Sequence, residues 1–342
     1  MKKKTYNIVL IFLIVISACL AWVKFFETKQ QLNTITTPAS VVSQKQVSTT
    51  TTAMEEKVVK LGFVGDMMFD RSVKKSIEKN GAGNFTFSFD SILPTLKTFD
   101  WLFGNLEGPV SEKKEKVCGS MYSFVMDLKV LPVLKDVGFK AVSIANNHMF
   151  DYCQEAFLDT LKNLTDNNIA FVGGGSNEDT AYSAKITKIG SLNLGLLGYT
   201  EFGGKYITAK GQKPGLAIIN LEKMCQSISE AKKLSDIIVV SFHFGTEYSK
   251  IPNKYQRETA ERAIDCGADL VVGHHPHVVE PLEYYKNKPI VYSLGNFIFD
   301  QSFSAETMSG NILSVTIKNK EISQVELIPY KLNKYFQPEI VN

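Results

Sequence analysis

The 342-residue chain carries almost no surplus charge: 38 lysines and arginines against 35 aspartates and glutamates give a formal net charge of +3. Residues 1–57 hold seven lysines and three glutamates, so residues 58–342 net −1, and that body has no electrostatic footprint for nucleic acid. Glycine (23) and proline (11) are too few for a collagen-like polymer, and hydrophobic residues at 44% are too many for a wholly disordered chain. Long apolar runs are absent beyond the N-terminus, which excludes a polytopic membrane protein. Cysteine is scarce (5) and forms no Cys-x-x-Cys pair, which argues against a zinc knuckle or a thioredoxin-like site. Histidine is equally scarce, yet all five fall in three short segments: His148, His243, and His274 with His275 and His277.

What is present begins with Met1-Lys-Lys-Lys4, followed by an apolar run from Ile8 to Val23 and by Phe25 and Phe26. The run approaches the ~20 residues that cross a bilayer, and the lysines before it favour a cytoplasmic N-terminus with the rest of the chain outside. The expectation is a single-pass, uncleaved membrane anchor in residues 1–28. Its rivals are a cleaved signal peptide and a lipoprotein, because Ile16-Ser-Ala-Cys19 resembles a lipobox with Cys19 as the lipidated residue. Against lipidation, Leu20 to Phe26 stays apolar. Residues 34–53 contain seven threonines and three serines, with no glycine or aromatic residue. Such a stretch buries too little to offset its ordering entropy, so residues 29–57 read as a tether. Outside the cytoplasm the remaining Cys118, Cys153, Cys225 and Cys266 can pair in three ways. The expected pairs are Cys118–Cys153 and Cys225–Cys266, the latter two on successive helices; buried free thiols are the alternative.

From Val58 the chain repeats one pattern. A short apolar run ends in a Gly/Asn/His/acid cluster, often followed by a helical stretch. The runs are 58–64, 101–103, 141–145, 237–242, 270–272 and 290–294, rich in β-branched and aromatic residues as doubly buried strands are. Helical stretches are expected at 128–137, 154–167, 221–234 and 255–266. Ile312–Ile317 and Ile322–Ile328, around Asn319-Lys320, read as a hairpin. Alternating strands and helices predict a single α/β domain over 58–342.

Ligands of open α/β sheets bind beyond the carboxyl ends of the strands, and each polar cluster lies at such an end. Carboxylate oxygens and neutral imidazoles are ligands for Zn²⁺, Mn²⁺ or Fe. Asp66, Glu107, His243, His275 and His277 suit that role for one or two divalent ions, with Asn147 adding an amide oxygen. His148, held by Asp151 three residues on, suits the role of an acid that protonates a leaving group. Arg71, Asn105, Glu247 and Asn296 are the candidate substrate contacts.

The stretches Val64-Gly-Asp-Met-Met-Phe-Asp-Arg71, Asn105-Leu-Glu107, Ala145-Asn-Asn-His-Met-Phe-Asp151, His243-Phe-Gly-Thr-Glu-Tyr248, Gly273-His-His-Pro-His-Val278 and Ser293-Leu-Gly-Asn-Phe-Ile-Phe-Asp300 carry a family resemblance. In this order they resemble the CapA family of poly-γ-glutamate capsule-biosynthesis proteins, itself similar to the calcineurin-like metallophosphoesterases. The resemblance implies a four-layer α-β-β-α sandwich, an extracytoplasmic body on a membrane anchor, and capsule-synthase subunits as partners. It also implies an anionic polymer or phosphorylated envelope substrate. Asp66 looks like the first-motif ligand, Glu107 like the bridging carboxylate, and Asn147-His148 like the amide ligand and its catalytic imidazole. His243, His275 and His277 look like the remaining ligands. Two positions depart from the metallophosphoesterase pattern: Met68 stands where that pattern has histidine, and Glu107 replaces an aspartate. Either one metal binds, Asp70 compensates, or the site has moved away from hydrolysis. The expected function is therefore a metal-dependent phosphoesterase-like hydrolase of capsule polymer formation. The alternative is a non-catalytic subunit that binds or guides the polymer beside a synthase. A metal-dependent peptidase or amidase is a third reading.

Overall fold

Runs such as Ile237-Ile-Val-Val-Ser-Phe242 have no polar face, and a strand of that kind persists only where both faces are covered. The computed structural model of the chain, which describes residues 58–341 except Ser120, covers them. The expected anchor (1–28), the tether (29–57) and Cys19 lie outside the described residues. Among the described residues no helix is long and apolar enough to cross a membrane.

The first half of the body supplies β1 (Val59–Met67), β2 (Trp101–Leu106), β3 (Phe139–Ser143), β4 (Ala170–Val172), β5 (Gly174–Gly175), β6 (Lys185–Ile189), β7 (Leu192–Thr200) and β8 (Gly215–Leu216). The second half supplies β9 (Ile237–His243), β10 (Leu270–His274), β11 (Leu282–Tyr285), β12 (Lys288–Val291), β13 (Asn296–Ile298), β14 (Ser309–Lys318), β15 (Glu321–Leu332) and β16 (Pro338–Ile340). One sheet runs β16-β15-β14-β1-β2-β3-β4, with β13 also paired to β1; the other runs β11-β12-β10-β9-β7-β6. β1 to β4 are mutually parallel, as are β7, β9, β10 and β12.

Period-two alternation sorts the side chains into three cores. Leu61, Phe63, Trp101 and Phe103 meet Leu194, Leu196, Val239 and Val272 between the sheets. On the outer face of the first sheet Val64, Leu102 and Val142 pack with Val73, Leu134 and Phe157 of the helices Arg71–Asn80, Val130–Val137 and Cys153–Asp166. On the outer face of the second, Ile238, Val240 and Phe242 pack with Met224, Ile228 and Ala260 of the helices Leu221–Lys232 and Lys254–Asp265. The layers thus run helix, sheet, sheet, helix.

The closing hairpin is longer than its sequence pattern suggests, joining β14 to β15 through Asn319 and Lys320 at φ 53° and 65°. Two central residues at positive φ match the twist of the flanking strands. Two glycines answer to close packing. A Cβ on Gly65 would lie 1.8 Å from the Gly295 carbonyl oxygen, and one on Gly273 would lie 1.9 Å from that of Tyr292. The glycines thus let neighbouring backbones touch at the strand ends. The structure joins Cys118 to Cys153 and Cys225 to Cys266.

One carboxyl in this frame lacks a full set of partners. Glu280 is buried; its Oε2 accepts from Gln256 Nε2 at 2.7 Å, while Oε1 has no partner. Burial pushes it from 4.5 up to about 7, against the Gln256 hydrogen bond and the Arg257 charge. Between those values the folded chain keeps a proton that the unfolded chain has lost, so stability falls as pH rises through the window. Glu280→Gln, which stays neutral, is therefore expected to match the wild type at pH 4. At pH 8 it should be more stable by about 1–3 kcal/mol in urea denaturation. Equal differences at both values would contradict the assignment.

Candidate metal centre

Parallel pairing brings the polar clusters to one edge. Asp66 of β1 lies opposite Asn105 of β2, Asn105 lies opposite Ser143 of β3, and His243 of β9 lies opposite His274 of β10. Glu107 and the Asn146-Asn147-His148 turn follow directly beyond β2 and β3. Asp66 then ties the two sheets together, because its Oδ2 accepts from the backbone N–H of His275 at 3.2 Å.

Asp66 is fully buried, and a buried carboxylate persists only when hydrogen-bonded or paired. Its Oδ1 accepts from Asn105 Nδ2 at 2.8 Å; His274 Nδ1 and His277 Nδ1 each lie 3.5 Å from its carboxylate. Burial pushes the Asp66 carboxyl up, but the His274 and His277 rings beside it and the Asn105 hydrogen bond outweigh that, and the net displacement is downward. Glu107 goes the other way. Burial, followed by the like charges of Asp66, Glu247 and Asp151, holds it well above the carboxylate range. Its Oε2 accepts from Asn105 Nδ2 at 3.2 Å. Its Oε1 is buried without a partner, 3.6 Å from His277 Nε2 and 3.9 Å from His148 Nε2.

The imidazoles converge from the second sheet. His243 Nε2 lies 2.8 Å from Asn147 Oδ1 and 3.1 Å from His275 Nδ1. Ligand-type atoms of three residues thus lie side by side. Burial, reinforced by the neighbouring histidines, holds His243 well below its ordinary value; burial and His277 bring His275 down to about 3. Burial also lowers His277, although Asp66 and Asn296 oppose it. All three rings are therefore neutral near pH 7, the form that binds a metal. His275 and His277 sit at φ 99° and 58°. Non-glycine residues in that region cost about 1–3 kcal/mol each, and the Asp66 contact to His275 N–H helps to hold the turn.

His148 stands on the opposite side. Its Nδ1 lies 2.7 Å from Asp151 Oδ2, so Nδ1–H donates and Nε2 faces Glu107. Asp151 is itself fixed: its Oδ2 also accepts from Phe124 N–H, and its carbonyl accepts from Cys118 and Gly119 N–H. The Phe124 ring covers His148 at 4.1 Å between centroids. A cavity of about 560 Å³ opens here, lined by Arg71, Phe124, His148, Glu247, Tyr248 and His277 among others. Arg71 pairs with Asp300 and lies over Phe124.

Every residue expected at the centre lies at this edge, but two have different duties from those expected. Asn105 and Asn296 are fully buried rather than open to a substrate. Asn105 clamps Asp66 and Glu107. Asn296 Oδ1 accepts from His277 Nδ1 at 2.9 Å, while its Nδ2 donates to Thr307 O and Gln301 Oε1. That pattern fixes the amide's orientation and leaves His277 Nε2 free to ligate. Arg71 and Glu247 do face the cavity. Sequence reasoning passed over Asn146, which donates to Asn105 Oδ1 and Leu106 O and accepts from His148 N–H. It also passed over His274 beneath Asp66.

Residues 60–301 match the family described as "Bacterial capsule synthesis protein PGA_cap". The chain is 36% identical over 281 residues to the PGA biosynthesis protein CapA of Bacillus subtilis (strain 168), a match covering 82% of this chain and 73% of that protein. It is 30% identical over 288 residues to the capsule biosynthesis protein CapA of Bacillus anthracis, covering 82% and 69%. The chain belongs to the PGA_cap capsule synthesis family. Its solved likenesses include a phosphatase of Mycoplasma pneumoniae, with a TM-score of 0.51 at 13% identity over 80% of this chain and 94% of that one. A 5'-nucleotidase precursor of Thermus thermophilus gives 0.51 at 13% identity over 83% and 56%. At such identities the likeness is one of fold.

The donor set of this PGA_cap chain fits a divalent cation. Asp66, Glu107 and His277 place one ligand atom each within 4.8 Å of one another, as do Glu247, His275 and His277. The unpartnered Glu107 Oε1 points among them. Removing an outer hydrogen-bond partner of a ligand costs about 10–100-fold in metal affinity. Asn296→Ala is therefore expected to weaken Mn²⁺ binding by that factor in titration calorimetry, with the circular dichroism spectrum unchanged. Undiminished affinity would contradict the role given to Asn296.

Proposed function

We propose that this PGA_cap protein is a metal-dependent phosphoesterase-like hydrolase, anchored in the cell membrane through residues 8–26 with its body outside. Its substrate would be a phosphorylated envelope compound used in making or exporting an anionic capsule polymer of the poly-γ-glutamate type. Its partners would be the subunits of a membrane capsule synthase. The observation that carries the reading is the meeting of Asp66, Glu107, His243, His275 and His277 beside His148 at one edge of the paired sheets. The relatives' names, PGA and capsule biosynthesis proteins, supply the polymer.

A divalent cation held by Asp66, Glu107, Asn147, His243, His275 and His277 would supply Lewis acidity toward a phosphoryl oxygen and a water acidic enough to attack at neutral pH. The protein's own groups do the rest. His148 Nε2, 3.9 Å from Glu107 Oε1, is placed to deliver a proton to a leaving oxygen, while Asp151 accepts from Nδ1–H and so fixes the ring's orientation. Arg71, half-exposed in the cavity wall, turns its positive charge toward an incoming anion, and Asp300 holds it in place. Phe124 keeps water off one face of the His148 ring.

The purified full-length chain loaded with Mn²⁺ is expected to cleave an aryl phosphate. His148→Ala should lower kcat by about 10²–10⁴ with little change in KM. Elemental analysis finding no bound metal after loading would overturn the reading. One observation favours the non-catalytic alternative: Met68 sits in the apolar core rather than in the centre. If that alternative holds, cells carrying Asp66→Ala or His275→Ala export polymer normally. The hydrolase reading expects export to fail.

A further inference from the structure

We infer that Glu247 is a metal ligand, supplying the donor that Met68 cannot, and that the centre consequently holds two cations. The inference rests on the metal-centre reading above and concerns which of this chain's residues complete it. Met68 is fully buried among apolar side chains, and its sulfur accepts from Asp70 N–H at 3.0 Å. A thioether is in any case a poor donor to a hard cation. Asp70 does not take over: it belongs to neither donor group, and its Oδ2 accepts from Val125 N–H at 3.0 Å. The first motif therefore contributes Asp66 alone.

The missing donor comes from the other sheet. Beyond β9 the chain turns through Gly245 and brings Glu247 to the rim of the same cavity as His277 and His148. There its carboxylate, a ring nitrogen of His275 and a ring nitrogen of His277 lie within 4.8 Å of one another. Two contacts of the neighbouring Tyr248 hold the turn. Its N–H donates to Pro276 O at 2.8 Å, in the middle of the His275–His277 turn, and its hydroxyl accepts from Gln301 Nε2 at 3.2 Å. The Tyr248 ring stacks beside His277 at 6.2 Å. Glu247 is thus tied to the histidine turn by backbone rather than left as a wandering surface charge.

His277 belongs both to this group and to the group with Asp66 and Glu107, so the two groups are adjacent. Two three-donor groups that share one imidazole provide for two neighbouring ions. Replacing an imidazole donor by a carboxylate also shifts preference toward an oxygen-seeking ion such as Mn²⁺.

The test uses the full-length chain, stripped and reloaded with Mn²⁺. It reads the number of ions per chain by elemental analysis and their spin coupling by electron paramagnetic resonance. The wild type is expected to hold two coupled ions. In Glu247→Gln one ion and the coupling should be lost, or the second ion should bind at least tenfold more weakly. Glu247 is exposed, so the fold should survive, and circular dichroism checks this. Glu247→His should keep two ions and shift preference toward Zn²⁺. Two tightly bound, coupled ions in Glu247→Gln, or a single ion in the wild type, would overturn the inference while leaving the metal centre standing. No ion in the wild type would overturn both.

Discussion

Asp66 is the pin on which the rest of the site turns. It is a carboxylate with no exposure, held below its ordinary pKa by His274, His277 and Asn105, and it accepts a backbone hydrogen bond from the opposite sheet. A charge in that position is tolerated only because every surrounding group is arranged to receive it. The arrangement follows from parallel strands: β1, β2 and β3 must deliver their carboxyl ends to one edge, and β9 and β10 do the same from the facing sheet. Once both sheets pack through Phe63, Trp101, Phe103 and Val272, Asp66 and His275 have no choice but to meet.

A second constraint acts on the catalytic side. The described residues between β2 and the helix Val130–Val137 are irregular, yet they are held where they run near the centre: Cys118 is bonded to Cys153, and Cys118 and Gly119 donate to the Asp151 carbonyl. A Cβ on Gly119 would come within 2.4 Å of Asp151 Oδ1. The same segment then delivers Phe124 N–H to Asp151 Oδ2 and the Phe124 ring to His148. His148 is thus aimed by a strap whose sequence carries no catalytic motif. That is why His148 and Asp151 were legible and the Phe124 contacts that position them were not.

Much of the fold could be read from residues alone, because two-faced burial leaves short runs such as 237–242 and 270–272 without a polar face. Several short strands escaped, and so did the long β7, which lies between β9 and β6. Its sequence Leu-Asn-Leu-Gly-Leu-Leu-Gly-Tyr-Thr is interrupted by glycines at the very positions where Ile238 and Val172 press against the backbone. Helix Arg71–Asn80 escaped for the opposite reason, since its few apolar residues are scattered among lysines. In the site, residue types of ligand chemistry were legible from their placement at strand ends. The division of labour was not: Asn105 and Asn296 look like substrate contacts in sequence, and only three-dimensional burial shows that they grip Asp66, Glu107 and His277 instead.

The most direct measurement is anomalous diffraction at the manganese edge from crystals of the Mn²⁺-loaded chain. Two peaks lying among Asp66, Glu107, His243, His275 and His277 are the expected result. A map with no peak inside that set, or with those imidazoles turned toward solvent, would contradict the assignment of these strand ends to a metal centre.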